Sequence, residues 1–420
     1  MKKYEKYKEI KLPWLKEVPE HWEILKNRNI FKYRKELNKN NIEKNVLSLT
    51  LNGVINNDIE NPIGLSPKNY ETYQLFNKDD LVFKLIDLNN VKTSRVGIVH
   101  EKGIMSPAYI RFTSDKNKNF PKYYYYWFYR LYIEEVFNKL GNGVRETIGK
   151  NELLNMVVPS PSYKEQSQIA NFLDWKIGEI DRLVGLEKRK VERLGEYRKN
   201  FLSYLMKNEK NCNLISLKNI LKIKSIKKSQ NVGDLDLLSV VRDKGIVLRN
   251  LDYEDENHNV IPEDLSNYKV VFKNDFVMNK MKAWQGSYGI SKLKGVVSPA
   301  YFVFEFTSKD ILPDFFHLSI RCRNYIDEFA KYSKGIRVGQ WDFDLSEIRN
   351  IYFKYPNIDR QVYIINKVKT TYKKLDEIIS KTTNQITYLE ELKKSLISDV
   401  VTGKIDVRDI KIPNYKKQKY

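Results

Sequence analysis

Cysteine and histidine are scarce in this sequence, and their spacing excludes several classes of protein. Only Cys212 and Cys322 occur among 420 residues, so the chain supports neither a disulfide framework nor a cysteine-based metal tetrad. The histidines are far apart and show no metal-ligand spacing; they are His21, His100, His258 and His317. We therefore expect no metal site on this chain.

Long apolar runs are also missing. No segment approaches the roughly 20 consecutive apolar residues that a membrane-spanning helix needs. The first residues are charged throughout, unlike a secretory signal peptide. We therefore expect a soluble, cytoplasmic protein with no membrane partner.

The motifs of enzymes that act on DNA or nucleotides are absent as well. A DNA adenine methyltransferase would carry Asn/Asp–Pro–Pro–Tyr/Phe, and the nearest string, Asn61–Pro62–Ile63–Gly64, lacks the second proline and the aromatic residue. No glycine-rich dinucleotide loop follows a strand, and no Walker lysine loop is present. The sequence favours a binding protein over an enzyme.

Positive charge, in contrast, is in large excess. The chain has 74 Lys and Arg against 53 Asp and Glu, a formal net charge of +21. Such a charge attracts polyanions and indicates a nucleic-acid partner. The alternative is that the positive charge reflects a proteome rich in lysine, since asparagine, isoleucine and tyrosine are also abundant in this chain.

The most informative feature is an internal repeat. The string Gly103–Tyr109 returns as Gly295–Tyr301, a shift of 192 residues, and Gln166 returns as Gln361, a shift of 195. This period is far longer than the roughly 20–50 residues of a solenoid unit. It indicates two copies of one domain and its following helix, and no reactive constellation recurs in both copies.

A heptad seam follows each domain. Apolar side chains recur at alternating steps of three and four, which predicts two long amphipathic helices. Each helix must bury its apolar seam. The simplest partner is the duplicate helix, and the duplication predicts that the two run antiparallel. The alternative is that each helix packs on its own domain. The predicted pairing residues are Leu173, Ile177, Ile180, Leu194, Leu375, Ile379, Ile386 and Leu389.

These patterns predict an α+β protein with an internal duplication. The expected segments are a first domain over 1–160, a helix over 161–208, a second domain over 209–355, a helix over 356–405 and a basic tail over 406–420. Within the domains, short β-rich runs precede single helices over 121–140 and 313–332, each opened by proline.

Candidate DNA-binding residues lie in a basic and polar loop that differs between the halves while its flanks match. Arg and Lys pair with guanine edges and Gln with adenine, so these loops suit base reading; the alternative is an ordinary solvated loop. The candidates are Lys92, Thr93, Ser94 and Arg95 in the first half, and Lys280, Lys282, Trp284, Gln285, Ser287 and Tyr288 in the second. Arg145 and Arg337, after a glycine in each half, are candidates for phosphate or base contacts.

The order of motifs resembles the DNA-specificity subunit of Type I restriction-modification systems. The resemblance rests on the opening string Leu12–Trp22, on Lys280–Gly286 leading to Val297–Tyr301, on the junction Val158–Ile169, and on the endings Leu392–Ile397 and Val400–Lys404. Three departures stand out. Arg360 replaces the usual Glu, the first helix lacks the Val–Thr–Gly ending, and the second half has no Pro–Glu–His–Trp.

The resemblance implies a non-catalytic subunit whose two domains each read part of a split site in double-stranded DNA. It implies that the helices set the gap and dock methyltransferase subunits that use S-adenosylmethionine. A restriction subunit with ATP and Mg²⁺ would complete the complex, and this chain itself would hold no cofactor. The rival hypotheses are a fused restriction or methylation enzyme with degenerate motifs, and an RNA-binding or coiled-coil adaptor.

Overall fold

The computed structural model divides the chain into two units that repeat one arrangement of strands and helices. Unit 1 comprises Met1–Lys188 and Asn384–Tyr420, and unit 2 comprises Arg189–Thr383. The structure describes residues 2–58, 60, 67, 69–89, 93–141, 147–228, 235–242, 244–249, 264–337 and 340–413, and the side chains of 336–340 are not described.

The first half of the chain contains twelve strands and five helices within the described residues. The strands are β1 (Tyr7–Leu12), β2 (Leu15–Pro19), β3 (Glu23–Lys26), β4 (Phe31–Tyr33), β5 (Leu47–Thr50), β6 (Gly53–Asn56), β7 (Gln74–Phe76), β8 (Leu81–Phe83), β9 (Val96–Ile98), β10 (Gly103–Met105), β11 (Ile110–Ser114) and β12 (Val157–Ser160). The helices are α1 (Asn27–Ile30), α2 (Pro121–Ile133), α3 (Val136–Leu140), α4 (Lys150–Asn155) and α5 (Tyr163–Lys207), with a short 3-10 helix at Lys39–Asn41.

The described part of the second half contains twelve more strands and three α-helices. The strands are β13 (Asn213–Ser216), β14 (Leu221–Lys224), β15 (Leu238–Val241), β16 (Gly245–Leu248), β17 (Lys269–Val271), β18 (Phe276–Asn279), β19 (Tyr288–Ile290), β20 (Gly295–Val297), β21 (Tyr301–Phe306), β22 (Ser333–Arg337), β23 (Gln340–Phe343) and β24 (Tyr352–Tyr355). The helices are α6 (Pro313–Ile320), α7 (Arg323–Lys331) and α8 (Ile358–Val401), with 3-10 helices at Leu217–Asn219, Lys280–Gln285 and Leu345–Asn350.

Four sheets of unit 1 recur in unit 2 with equivalent strand pairing. A four-stranded antiparallel sheet has the order β4-β11-β8-β9 in unit 1 and β14-β21-β18-β19 in unit 2. Three two-stranded sheets repeat as well: β5-β6 with β15-β16, β10-β7 with β17-β20, and β12-β3 with β13-β24. Each unit has one further pair, β1-β2 in unit 1 and β22-β23 in unit 2. This common framework confirms the predicted α+β fold with an internal duplication.

Aromatic side chains join the sheet of unit 1 to helix α2. Phe31 stacks on Phe112 at 5.4 Å between ring centroids, and Phe83 meets Phe128 of α2 edge-on at 4.9 Å. Tyr124 and Trp127 of the same helix are fully buried. Such rings each bury a large apolar area, so the tyrosine-rich segment forms the core of this unit.

The helix after each proline is shorter than the sequence predicts. One continuous helix over 121–140 is wrong, because α2 ends at Ile133 and Glu135 adopts a left-handed φ of 55° before α3 begins. One helix over 313–332 is also wrong, because the chain leaves helical geometry at Cys322, between α6 and α7. A left-handed residue interrupts the ladder of backbone hydrogen bonds, and the periodic apolar pattern does not reveal it.

A buried carboxylate explains the opening string of the sequence. Glu165, near the start of α5, accepts hydrogen bonds from the Tyr4 hydroxyl at 2.7 Å and Trp22 Nε1 at 3.0 Å, and its other oxygen lies 3.0 Å from His21 Nε2. In unit 2 the equivalent position is Arg360, whose guanidinium contacts Glu209 at 2.5 and 2.8 Å. The substitution of Arg for Glu therefore accompanies the missing His–Trp pair.

The described residues that follow α8 pack within unit 1. Gln168 of α5 donates from Nε2 to the carbonyl oxygens of Val407 and Ile410, both at 2.8 Å. The amide of Asp406 donates to the carbonyl of Lys2 at 2.9 Å. Val407 is fully buried, so this part of the predicted basic tail belongs to the unit 1 domain.

In unit 1 the two long helices pack together in opposite directions. Lys393 of α8 contacts Asp181 of α5 at 2.7 Å, while Lys188 contacts Glu390 at 3.2 Å, so residue numbers rise on one helix as they fall on the other. The predicted residues Leu173, Ile177 and Ile180 are buried, and Ile386 and Leu389 pack against the same core.

The same antiparallel pairing recurs in unit 2. Arg198 of α5 contacts Asp376 of α8 at 3.0 Å and lies over the Tyr372 ring at 4.5 Å. Phe201 meets Tyr372 at 6.5 Å between ring centroids. Leu375 is buried, and Leu194 and Ile379 are half-buried. The prediction that the helices pair with each other is confirmed, and each also packs on its own domain.

Candidate nucleic-acid interface

The repeated Ser-Pro-Ala-Tyr string forms the same tight turn in each unit. In unit 2 the amide of Tyr301 donates to the carbonyl of Ser298 at 3.0 Å, and the Ser298 hydroxyl accepts from the amide of Ala300 at 3.4 Å. In unit 1 the amide of Tyr109 donates to the carbonyl of Ser106 at 3.2 Å. Serine hydroxyls stabilise such turns by accepting from the backbone two residues on. The motif that marks the repeat is therefore a structural link between two strands.

A different side chain anchors this turn in each unit. Lys269 Nζ donates to the carbonyl of Tyr301 at 2.7 Å, whereas in unit 1 Gln74 Nε2 donates to the carbonyls of Tyr109 at 2.8 Å and Ser106 at 3.2 Å. Burial lowers the pKa of Lys269, and the neighbouring Lys280 lowers it further. Unit 2 thus concentrates positive charge beside its turn, and unit 1 places a neutral amide there.

The predicted loop of unit 2 folds as the 3-10 helix Lys280–Gln285. The Asn279 side chain caps it by accepting from the amide of Met281 at 3.1 Å. Trp284 Nε1 donates to the carbonyl of Met281 at 3.2 Å, which fixes the indole against its own turn. Lys282 is exposed and Gln285 is half-buried, so this short helix presents a cation and an amide at the surface.

Lys280 is engaged by a neighbouring hairpin. Its ammonium lies 3.1 Å from a carboxylate oxygen of Asp342 in β23, and Trp341 of the same strand packs on Trp284 at 4.8 Å between ring centroids. The hairpin β22–β23 and the 3-10 helix therefore form one surface. The sequence reasoning missed Trp341 and Asp342; the signal that could have found them is the 195-residue shift, which places Trp341 opposite Glu146.

Two other candidates from this loop lie in the core. Tyr288 is fully buried, its hydroxyl donates to the carbonyl of Ile320 at 3.1 Å, and its ring meets Phe329 at 4.5 Å. Ser287 is also buried. Neither offers a polar group at the surface, so we do not place them in the reading surface, by which we mean the exposed face of the 3-10 helix Lys280–Gln285 and the hairpin β22–β23.

The predicted loop of unit 1 is largely turned inward. Arg95 is 2 % exposed and donates from Nη2 to the carbonyls of Asp87 at 3.0 Å and Leu88 at 2.7 Å. Ser94 is buried and donates to the carbonyl of Val96 at 2.8 Å. Half-buried Thr93 accepts from Lys84 Nζ at 3.1 Å. Only Thr93 of these three reaches the surface.

Three predicted contacts fall outside what the structure describes. Lys92 and Arg145 are not among the described residues. The backbone of Arg337 ends strand β22, but its side chain is not described. Contacts of these three residues with DNA stay predictions.

Among the described residues, no three His, Cys, Asp or Glu side chains are grouped so as to hold a metal ion. No helix in that part of the chain is long and apolar enough to cross a membrane.

The sequence and structure both match proteins of one kind. Residues 10–194 match the family described as the Type I restriction modification DNA specificity domain. The specificity subunit of the Type I restriction enzyme MjaVIII from Methanocaldococcus jannaschii is 24% identical over 348 residues, which cover 74% of this chain and 76% of that protein.

Two solved structures share the fold. One, from work on complex assembly and conformational transition of the type I R-M system, superposes with a TM-score of 0.67 at 11% identity and covers 92% of this chain and 99% of its own. The HsdS subunit from Thermoanaerobacter tengcongensis superposes with a TM-score of 0.53 at 11% identity and covers 92% and 98%. At this identity the likeness concerns the fold.

Proposed function

Because this chain belongs to the family of Type I restriction-modification specificity subunits, which recognise DNA without catalysis, we propose that it reads a bipartite, asymmetric DNA target with one unit on each part. The observation that carries the proposal is that the two units share the same arrangement of strands but carry different side chains at equivalent positions of it. Lys269 anchors the turn of unit 2, and Gln74 anchors that of unit 1. A shared framework presents equivalent surfaces, while different side chains select different bases.

The charge of the reading surface of unit 2 supports DNA as its ligand. Lys269, Lys280 and Lys282 lie around the turn and the 3-10 helix. Such cations contribute sequence-independent attraction to phosphates, and the Gln285 amide matches the donor and acceptor of adenine. We assign base discrimination in unit 2 to Lys282 and Gln285. In unit 1 Thr93 is the surface candidate, next to Lys92, which lies outside the described residues.

The long helices are the proposed docking site for methyltransferase subunits. Each carries large side chains that are more than half exposed although they are apolar or aromatic: Tyr197 and Tyr204 on α5, and Tyr388 and Leu392 on α8. Exposed apolar surface of this kind indicates a protein interface. In the proposed complex, S-adenosylmethionine is bound by the methyltransferase subunits, ATP and Mg²⁺ by a restriction subunit, and this chain holds no cofactor.

The proposal is tested by mapping methylated adenines in a host that lacks other such systems. Cells would carry the methyltransferase genes with or without this chain. We expect a split motif with two different halves and unread bases between them, present only with this chain. A methylation pattern that does not depend on the chain would refute the proposal, and methyl transfer by the purified chain alone would favour the fused-enzyme hypothesis.

A further inference from the structure

A tryptophan on the hairpin of unit 2 is partly exposed to solvent and packs on a second tryptophan. Trp341 is 37 % exposed, although its indole is a large apolar group. Its ring packs on Trp284 at 4.8 Å with an interplanar angle of 34°, and Trp284 is itself fixed by the hydrogen bond to Met281. The exposed ring is therefore supported from behind by a rigid neighbour. Preorganisation of this kind lowers the entropy lost on binding.

The surroundings of this ring are charged. Lys280 contacts Asp342, the next residue of β23, and the exposed Lys334 pairs with Asp342 in the register of the hairpin. Lys282 is exposed on the 3-10 helix that also carries Trp284. A flat ring among lysines is the arrangement by which proteins stack on bases or pack on sugars while cations contact phosphates.

The first half of the sequence has no aromatic residue at the equivalent position. The shift of 195 residues, which aligns Ile148 with Phe343 and Glu152 with Glu347, places Glu146 opposite Trp341 and Thr147 opposite Asp342. Gly149 stands directly before α4 as Asp344 stands directly before the 3-10 helix Leu345–Asn350, which supports this alignment. The sequence at this position thus differs between the halves in charge and in aromatic content, as a determinant of different half-sites would.

We propose that the hairpin β22–β23 is a specificity-determining element of unit 2 and that Trp341 is its DNA-contacting side chain. This inference rests on the proposed function and adds a residue that lies some 60 positions beyond the predicted loop. The indole packs against the DNA through its exposed face, and Trp284 acts as a positioning residue behind it. Lys280 lies beside it as the phosphate contact, while Lys282 keeps its assignment to base discrimination.

The experiment uses the full chain assembled with its methyltransferase subunits. Binding to the cognate duplex is compared for the wild type, Trp341→Ala, Trp341→Phe and the control Tyr352→Ala, which removes a ring that is 60 % exposed elsewhere on unit 2. We expect Trp341→Ala to weaken binding about 10- to 100-fold, Trp341→Phe to weaken it less, and Tyr352→Ala to change it little. The methylation motif should relax only in the half read by unit 2.

Fluorescence separates a DNA contact from a merely structural role. The chain has six tryptophans, and DNA that stacks on Trp341 should quench its emission. We expect the quenching by cognate duplex to be smaller in Trp341→Phe than in the wild type at saturation. Unchanged quenching together with unchanged affinity and motif in Trp341→Ala would overturn the proposal. If the wild-type complex gave no split motif at all, the proposed function itself would fail first.

Discussion

Asp181 of α5 accepts two hydrogen bonds from Lys393 of α8, at 2.7 and 3.0 Å. The internal repeat provides an equivalent pair, because a shift of 195 residues aligns Asp181 with Asp376 and Arg198 with Lys393. Asp376 and Arg198 form an ion pair at 3.0 Å in unit 2. The same polar contact therefore occurs once in each unit with the helices exchanged, which is what antiparallel pairing of two duplicated helices requires.

Apolar packing rather than these ion pairs should hold the helices together, because partly exposed pairs contribute little. We predict that Leu389→Asp destabilises unit 1 by about 2–4 kcal/mol, since it places an unpaired carboxylate against a buried core. The control is Lys394→Asp, which changes a nearby exposed position. Urea unfolding would measure both variants. An equal effect of the two substitutions would contradict the packing argument.

The carboxylate of Glu165 should be a stability determinant of unit 1. Glu165→Ala leaves the Tyr4 hydroxyl and the Trp22 indole N–H without their acceptor, and we predict a loss of about 2–4 kcal/mol in the free energy of unfolding. Arg360→Ala, at the equivalent place in unit 2, removes an exposed ion pair and should cost much less. Thermal unfolding of the two variants checks the difference. Comparable losses of stability in the two variants would show that the buried hydrogen bonds of Glu165 stabilise the protein no more than the ion pair of Arg360 does.

His317 should make unit 2 sensitive to acid. Burial, assisted by Arg321, lowers the pKa of His317 to about 4, and its Nδ1 accepts from the amide of Ile290 at 3.1 Å, which requires the neutral ring. The unfolded state, with a pKa near 6.5, takes up the proton first. The stabilisation is therefore complete above about pH 6.5 and is lost as the pH falls toward 4, by at most about 3 kcal/mol.

The variant His317→Gln tests this titration, because an amide oxygen can accept the same hydrogen bond without titrating. We expect its unfolding free energy to fall less than that of the wild type when urea titrations are repeated from pH 7 down to pH 4. The other three histidines are common to both proteins and cancel in the difference. Parallel pH profiles for the two proteins would exclude His317 as the source.

The contact between Asp342 and Lys280 should restrain DNA binding. Asp342→Asn releases the ammonium for a phosphate, so we predict tighter binding to duplex of any sequence and a slope of log K against log salt that is steeper by about one. Asp327→Asn is the matched control, since it frees Arg323 with the same change in net charge, and Asp327 lies on α7 rather than on the hairpin. Equal slopes for both variants would mean that only net charge matters.

The helices and strands could be predicted from sequence because the spacing of apolar residues and the turn-forming residues between elements mark them. The run Leu81–Leu85 contains β8, and the seam beginning at Leu173 lies in α5, where alternating steps of three and four fix the buried face. The internal repeat gave the architecture, since the same pattern appears twice at one spacing. Gln166 and Gln361 mark the junction in both halves, and each accepts from a backbone amide at 2.8 Å, from Phe120 and from Leu312.

The reading surface could not be derived in the same way. A loop composition predicts which groups are present, but not whether a side chain turns inward. Arg95 and Tyr288 have side chains suited to contacting DNA, yet both donate hydrogen bonds to backbone carbonyls in the interior. Trp341 was missed because its partner Trp284 lies 57 positions away, and that contact exists only once the chain has folded.

The most direct test of the account is the methylation motif of a variant altered in unit 2 alone. Lys282→Ala with Gln285→Ala removes the two surface groups assigned to base discrimination there. The account predicts a split motif in which one half relaxes and the other half is unchanged, because a lost base contact costs about 1–3 kcal/mol at its own position. A continuous motif, or changes in both halves, would contradict the claim that each unit reads its own part of the site.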